Sequence, residues 1–150
     1  RFRAAMEGEW YRTGNSPGVY IFRKRPAPSG TSAVIEVRHG FIPNYETSPD
    51  KILKKFQEDI TKEAAGLKVL KNGFRREKFR GADCVRIDQL LESSRKRVNS
   101  MTGLACVHPR MGDGRYSYIR VAVIQTANSL QDLRSYAAEE AALIGTLEFY

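Results

Sequence analysis

The run "YSYIRVAVIQT", Tyr116 to Thr126, constrains this chain more than any other stretch. It is dense in β-formers, and through its centre both alternating faces are largely apolar. A strand with one wet face alternates apolar with polar residues, so a strand apolar on both faces sits in a sheet covered on both sides. The rest of the chain must then supply partner strands and something amphipathic for each face.

Partner strands are legible on either side. "GVYIFRKR", Gly18 to Arg25, and "TSAVIEVRHG", Thr31 to Gly40, flank the turn-forming "PAPSG" and predict a hairpin. Asn72-Gly73, inside "LKVLKNGFRREKFRG", is a hairpin or bulge signal. "ADCVRIDQLLE" alternates, with Val85, Ile87 and Leu91 on one side and Cys84, Arg86 and Asp88 on the other. A polar connection, "SSRKRVNS", leads to the short strand "GLACVHP", and "RMGDG" turns the chain into Tyr116.

Two helices are predicted to cover the faces. In "SPDKILKKFQEDITKEAAG", Ser48 is a natural N-cap, Pro49 suits the first helical position and Asp50 suits the positive dipole end. Ile52, Leu53, Phe56, Ile60 and Ala64 recur at helical spacing, and Gly66 is placed to end the helix. In "SLQDLRSYAAEEAALIG", Ser129 and Asp132 have capping-box spacing, Leu130, Leu133, Ala137, Ala141 and Ile144 share a face, and Gly145 closes. At 150 residues, 41% of them hydrophobic, the chain fits one domain, 1–150, with a core of its own. The expectation is an α+β fold: a three-layer α/β/α sandwich with a mostly antiparallel sheet and two long amphipathic helices over about 48–66 and 129–145.

This order resembles the PsbP-like family, named for an extrinsic subunit of photosystem II and shared by small exported bacterial lipoproteins. The opening hairpin, "SPDKILKKF", the central strands and "LIGTLEF" carry the resemblance, and "GLACVHP" is similar to a G-x-x-C-V-H-P segment in uncharacterised lipoproteins of that group. The resemblance implies an accessory or binding module and supplies no catalytic residues. The chain also starts at Arg1, which leaves room for an upstream signal or anchor. An exported protein of the periplasm or cell envelope is the expected setting.

Cys106 lies two residues from His108 in "GLACVHP", which raises nucleophilic or metal chemistry. If that strand pairs antiparallel with "ADCVRIDQLLE", one register sets Cys84 opposite Cys106, Arg86 opposite Leu104 and Val85 opposite Ala105. That register favours a Cys84–Cys106 disulfide in an oxidising compartment. Two buried thiols and a reactive Cys106 are the alternatives. Cys84, Cys106, His39 and His108 lack the spacing that preorganises zinc, so no metal site is assigned, and no cofactor. Glu58-Asp59 and Glu139-Glu140 read as solvated helix faces, and no enzymatic activity is expected.

A formal net charge of +8 invites an anionic partner. Lys68, Lys71, Arg75, Arg76, Lys78 and Arg80 crowd together, interleaved with Phe74 and Phe79, and Arg95, Lys96 and Arg97 follow in the next connection. Core phenylalanines with cations facing water explain the pattern better than a single-strand nucleic-acid surface, because no nucleic-acid signature accompanies it. The expected function is a non-enzymatic exported module that binds a protein or small ligand, with an anionic membrane surface as a further partner for the basic face. The alternative is an intracellular protein that binds an acidic partner or nucleic acid through the same residues.

Overall fold

In a computed structural model, residues 10–13, 16–24, 31–43, 48–109 and 114–149 are described. They form one seven-stranded antiparallel sheet. Its strands are β1 (Trp10–Thr13), β2 (Val19–Lys24), β3 (Ser32–Pro43), β4 (Lys68–Phe79), β5 (Ala82–Glu92), β6 (Val98–Pro109) and β7 (Arg115–Ala127), in the order β1-β2-β3-β7-β6-β5-β4. α1 (Pro49–Glu63) carries the chain from the middle of the sheet to its β4 edge, and α2 (Ala137–Gly145) follows β7. The doubly apolar run around Tyr116–Thr126 is β7, set between β3 and β6. β1 was not anticipated from the sequence. The "PAPSG" turn and most of "RMGDG" lie outside the described residues.

Each face has its own core. Leu53 and Ile60 of α1 pack on Val85, Ile87, Ala105 and Val107. On the opposite face Leu143, Ile144 and Leu147 cover Ile35, Val37, Val121, Val123, Leu104 and the two cysteines. Trp10 meets Tyr136 edge-on, and the Lys24 ammonium lies over both rings, which ties β1 to the start of α2.

The expected three-layer sandwich with two long helices does not form. A helix is about 10 Å wide and strands lie about 4.8 Å apart, so one helix covers roughly two strands of a sheet that spans about 29 Å. α1 packs on β5 and β6, and α2 on β7. The molecule is a broad antiparallel sheet with one helical patch on each face. The second helix is also shorter than 129–145. Leu130–Asp132 is a single 3-10 turn, the chain then runs extended at Leu133, and α2 has nine residues. Gln125 explains the interruption. Its amide donates to Arg134 O (2.6 Å) and accepts from Arg134 N (3.1 Å), so it pairs with that backbone as a strand would and removes it from helical bonding. Ser129 makes no capping bond; its hydroxyl donates to the Asp132 carboxylate (3.0 Å).

The turns follow local chemistry. Arg80 and Gly81 both have positive φ (47° and 81°), the signature of the two-residue hairpin between β4 and β5. Asn72-Gly73 lies within β4, and the bulge falls between Val69 and Lys71.

Candidate functional site

β5 and β6 pair in the register that sets Cys84 opposite Cys106, Arg86 opposite Leu104 and Val85 opposite Ala105. The two cysteines form a disulfide, both essentially inaccessible, with Cα atoms 4.1 Å apart. This removes the chain's only thiols from nucleophilic or metal chemistry. His108 instead stacks on Phe149 (5.4 Å), and His39 on Tyr20 (5.6 Å).

Two charged clusters sit on opposite faces. On the α1 face, Glu36 of β3 is buried between two guanidinium groups. Arg38 holds it in a bidentate grip (2.8 and 3.0 Å), Arg120 of β7 donates to it as well, and Arg120 also lies over the Phe56 ring. Burial pushes the Glu36 carboxyl up, but the hydrogen bonds and charges of Arg38 and Arg120 outweigh it and hold the carboxyl below its usual range. Burial raises the neighbouring Tyr118 phenol. On the α2 face, Arg86 bridges Glu77 of β4 (2.8 Å) and Glu140 of α2 (3.5 Å), and Thr102 donates to Glu140 (2.6 Å). The hydrogen bond from Arg86 holds Glu77 below its usual range. A hollow of about 300 Å³ opens beside this cluster, walled by Asp88, Gln125, Arg134 and Tyr136.

Neither cluster was anticipated from the sequence. A lone glutamate inside "SAVIEVRHG", with an arginine two residues on and so on the same face, is the signal that could have found the first. Both clusters pair carboxylates with guanidinium groups, and Glu36 and Glu77 are held ionised below their usual range. Such arrangements can orient and recognise.

The basic residues predicted as one face share an edge of the sheet, but along β4 they alternate between its two faces, Lys71 and Arg75 on the α2 side and Arg76 and Lys78 on the α1 side. Lys68, Lys71, Arg75, Arg76 and Lys78 lie along β4 at the sheet edge, and Arg95, Lys96 and Arg97 occupy the β5–β6 turn. The two groups meet at Glu92, which accepts from Lys96 (3.4 Å) and lies 4.0 Å from Lys68. The β4 cations pair with nearby carboxylates, Lys71 and Lys78 with Asp88 and Asp83 of β5, Arg75 with Glu77 of its own strand and Arg76 with Asp50 of α1. Arg80 stands apart. It donates to the carbonyls of Leu147 and Gly145 and so fastens the β4–β5 hairpin to the end of α2. Among the described residues no group of histidine, cysteine and carboxylates could hold a metal ion. Among the described residues no helix is long and apolar enough to cross a membrane.

No protein-family model matches the chain, and no curated protein matches it.

Proposed function

We propose that this protein is a non-enzymatic binding module of an oxidising compartment, an exported accessory protein of the kind its resemblance to PsbP-like lipoproteins suggests, and that it meets an anionic partner along its β4 edge. The observation that carries this reading is the buried Cys84–Cys106 bridge. A bridge of this kind persists where thiols are not kept reduced, and it takes the only candidate nucleophile out of play. The clamped states of Glu36 and Glu77 support the non-enzymatic part, and the exposed cations from Lys68 to Lys78, with the turn at Arg95–Arg97, support the anionic partner. A nucleic acid fits less well, because no nucleic-acid-binding signature accompanies these cations.

Alkylation of protein purified from its native source, followed by intact-mass measurement, tests the reading. With both labelling steps in denaturant, the expected result is no label before reduction and two labels after it. Label on both cysteines without reduction places the protein in a reducing compartment and removes the export proposal.

A further inference from the structure

We infer that the β4 edge accepts an extended acidic polypeptide as an eighth strand of the sheet; this rests on the binding-module reading above and specifies its partner. β4 is the outermost strand and runs for twelve residues. The disulfide fixes which of its backbone groups face outward. In an antiparallel pair, Cα atoms about 4.5 Å apart mark the non-hydrogen-bonded positions. Cys84 and Cys106, at 4.1 Å, are such a pair, so the N–H and C=O of Cys84 point away from β6 and toward β4. Glu77, opposite Cys84, therefore bonds inward, as does Arg75 two residues on. By alternation Phe74, Arg76 and Lys78 turn their N–H and C=O away from the sheet. Among the described residues no strand lies beyond them. Phe74 packs into the core beneath α1, so this open ladder stands on an anchored strand.

The side chains decide what can use the ladder. β4 carries Lys68, Lys71, Arg75, Arg76 and Lys78 against the single carboxylate Glu77, five positive charges to one negative. A second copy of β4 would bring cations against cations, which is how exposed edges are kept from pairing with themselves. The same charges favour an acidic strand, so the repulsion that excludes self-pairing also selects the partner. Side-chain exposures of 59% at Lys71, 75% at Arg75 and 71% at Lys78 leave these heads free to turn outward. Their present ion pairs are surface pairs that hold weakly. At the Lys78 end, a hollow of about 440 Å³ between the start of α1 and the β4–β5 hairpin, lined by Ser48, Asp50, Arg76 and Asp83, has room for a side chain of the incoming strand. Main-chain bonds would supply affinity and alternate side chains specificity, as in other strand additions.

The probe is a synthetic peptide of about ten residues, a length matched to an ordinary strand, that alternates glutamate with valine or threonine; its control replaces each glutamate by lysine. Binding is read by fluorescence anisotropy, and the site by amide hydrogen exchange. The acidic peptide is expected to slow exchange at Phe74, Arg76 and Lys78 by at least about tenfold, while the lysine control leaves it unchanged. Lys78→Pro and Arg76→Pro, each measured against the alanine variant that loses the same cation, remove one outward donor and leave the inward ladder to β5 intact, as proline on an edge strand can. Each is expected to weaken the acidic peptide at least about tenfold, a change of about 1.4 kcal/mol. Arg75→Glu combined with Lys78→Glu keeps every backbone donor, so it decides the matter should a proline variant unfold; it is expected to lose the acidic peptide and gain the lysine control. Failure of the acidic peptide to bind, or binding without protection of these three amides, overturns the inference. Binding that survives the proline changes but falls with salt overturns only the strand-addition mode and leaves the anionic-partner reading in place.

Discussion

Gly103 shows how much of this sheet turns on single atoms. It sits in β6 opposite Ile87 on one side and Ala122 on the other. A Cβ placed there would lie 2.1 Å from the Val121 carbonyl oxygen and 2.8 Å from the Ala122 Cα. Those are backbone atoms of the central strand, so no side-chain rotation relieves the clash. Gly103→Ala is expected to cost about 3 kcal/mol, at the upper end for overpacking, read as a lower urea midpoint with an unchanged slope; a midpoint equal to wild type would mean that β6 and β7 separate at little cost. The sequence marks Gly103 only as the first residue of "GLACVHP", without a reason for glycine there, because the reason is the approach of a strand distant in the chain. The Cys84–Cys106 pair was legible for the opposite reason. Once two alternating strands are set antiparallel, one register follows, and it brings the cysteines together. In "SAVIEVRHG" Glu36 sits between apolar neighbours, and only the same-face Arg38 hints at its role. Its partner Arg120 lies far along the chain, and only β3–β7 pairing makes them neighbours.

At the scale of elements, local signals served where they competed with nothing. α1 begins as its caps dictate, with Ser48 Oγ accepting from Lys51 N (3.4 Å) and Pro49 in the first turn. α2 begins eight residues later than its pattern suggests, because Gln125 offers the backbone at Arg134 a better partner than the next helical turn. That contest was invisible in a linear reading: Ser129 and Asp132 have capping-box spacing, and Leu130 and Leu133 continue the apolar stripe. Gln125→Ala removes both bonds to Arg134. It is expected to destabilise the fold by about 1–2 kcal/mol, a typical worth for two such bonds, and to speed amide exchange at Arg134 in particular. Unchanged exchange at Arg134 would show that the extended stretch before α2 is held by the packing of Tyr136 against Trp10 and Lys24 instead.

The whole molecule is a sheet too wide for its helices, and it closes the difference with charge. Guanidinium–carboxylate clusters occupy both faces, Glu36 with Arg38 and Arg120 on one, Glu77 and Glu140 with Arg86 on the other. This makes stability depend on pH with a definite sign. Glu36 and Glu77 both have folded-state pKa values below their ordinary ones. The folded protein therefore binds protons at these sites less readily than the unfolded chain does. Their contribution is fully present above the unfolded carboxylate range, near pH 4.3, and is lost as pH falls through that range and then through the lower folded values. Glu36 dominates, because it is buried and protonation strands two arginines around a neutral acid, whereas Glu77 is partly solvated. Urea unfolding followed from pH 7 downward should hold steady until about pH 5 and then lose stability. In Glu36→Gln the neutral-pH stability should fall by about 3 kcal/mol, as expected when one member of a buried pair is removed. The acid-dependent loss should then shrink to the share that Glu77 carries. If the variant keeps the full acid slope, Glu36 is not the linked group, and the acid sensitivity belongs to Glu77.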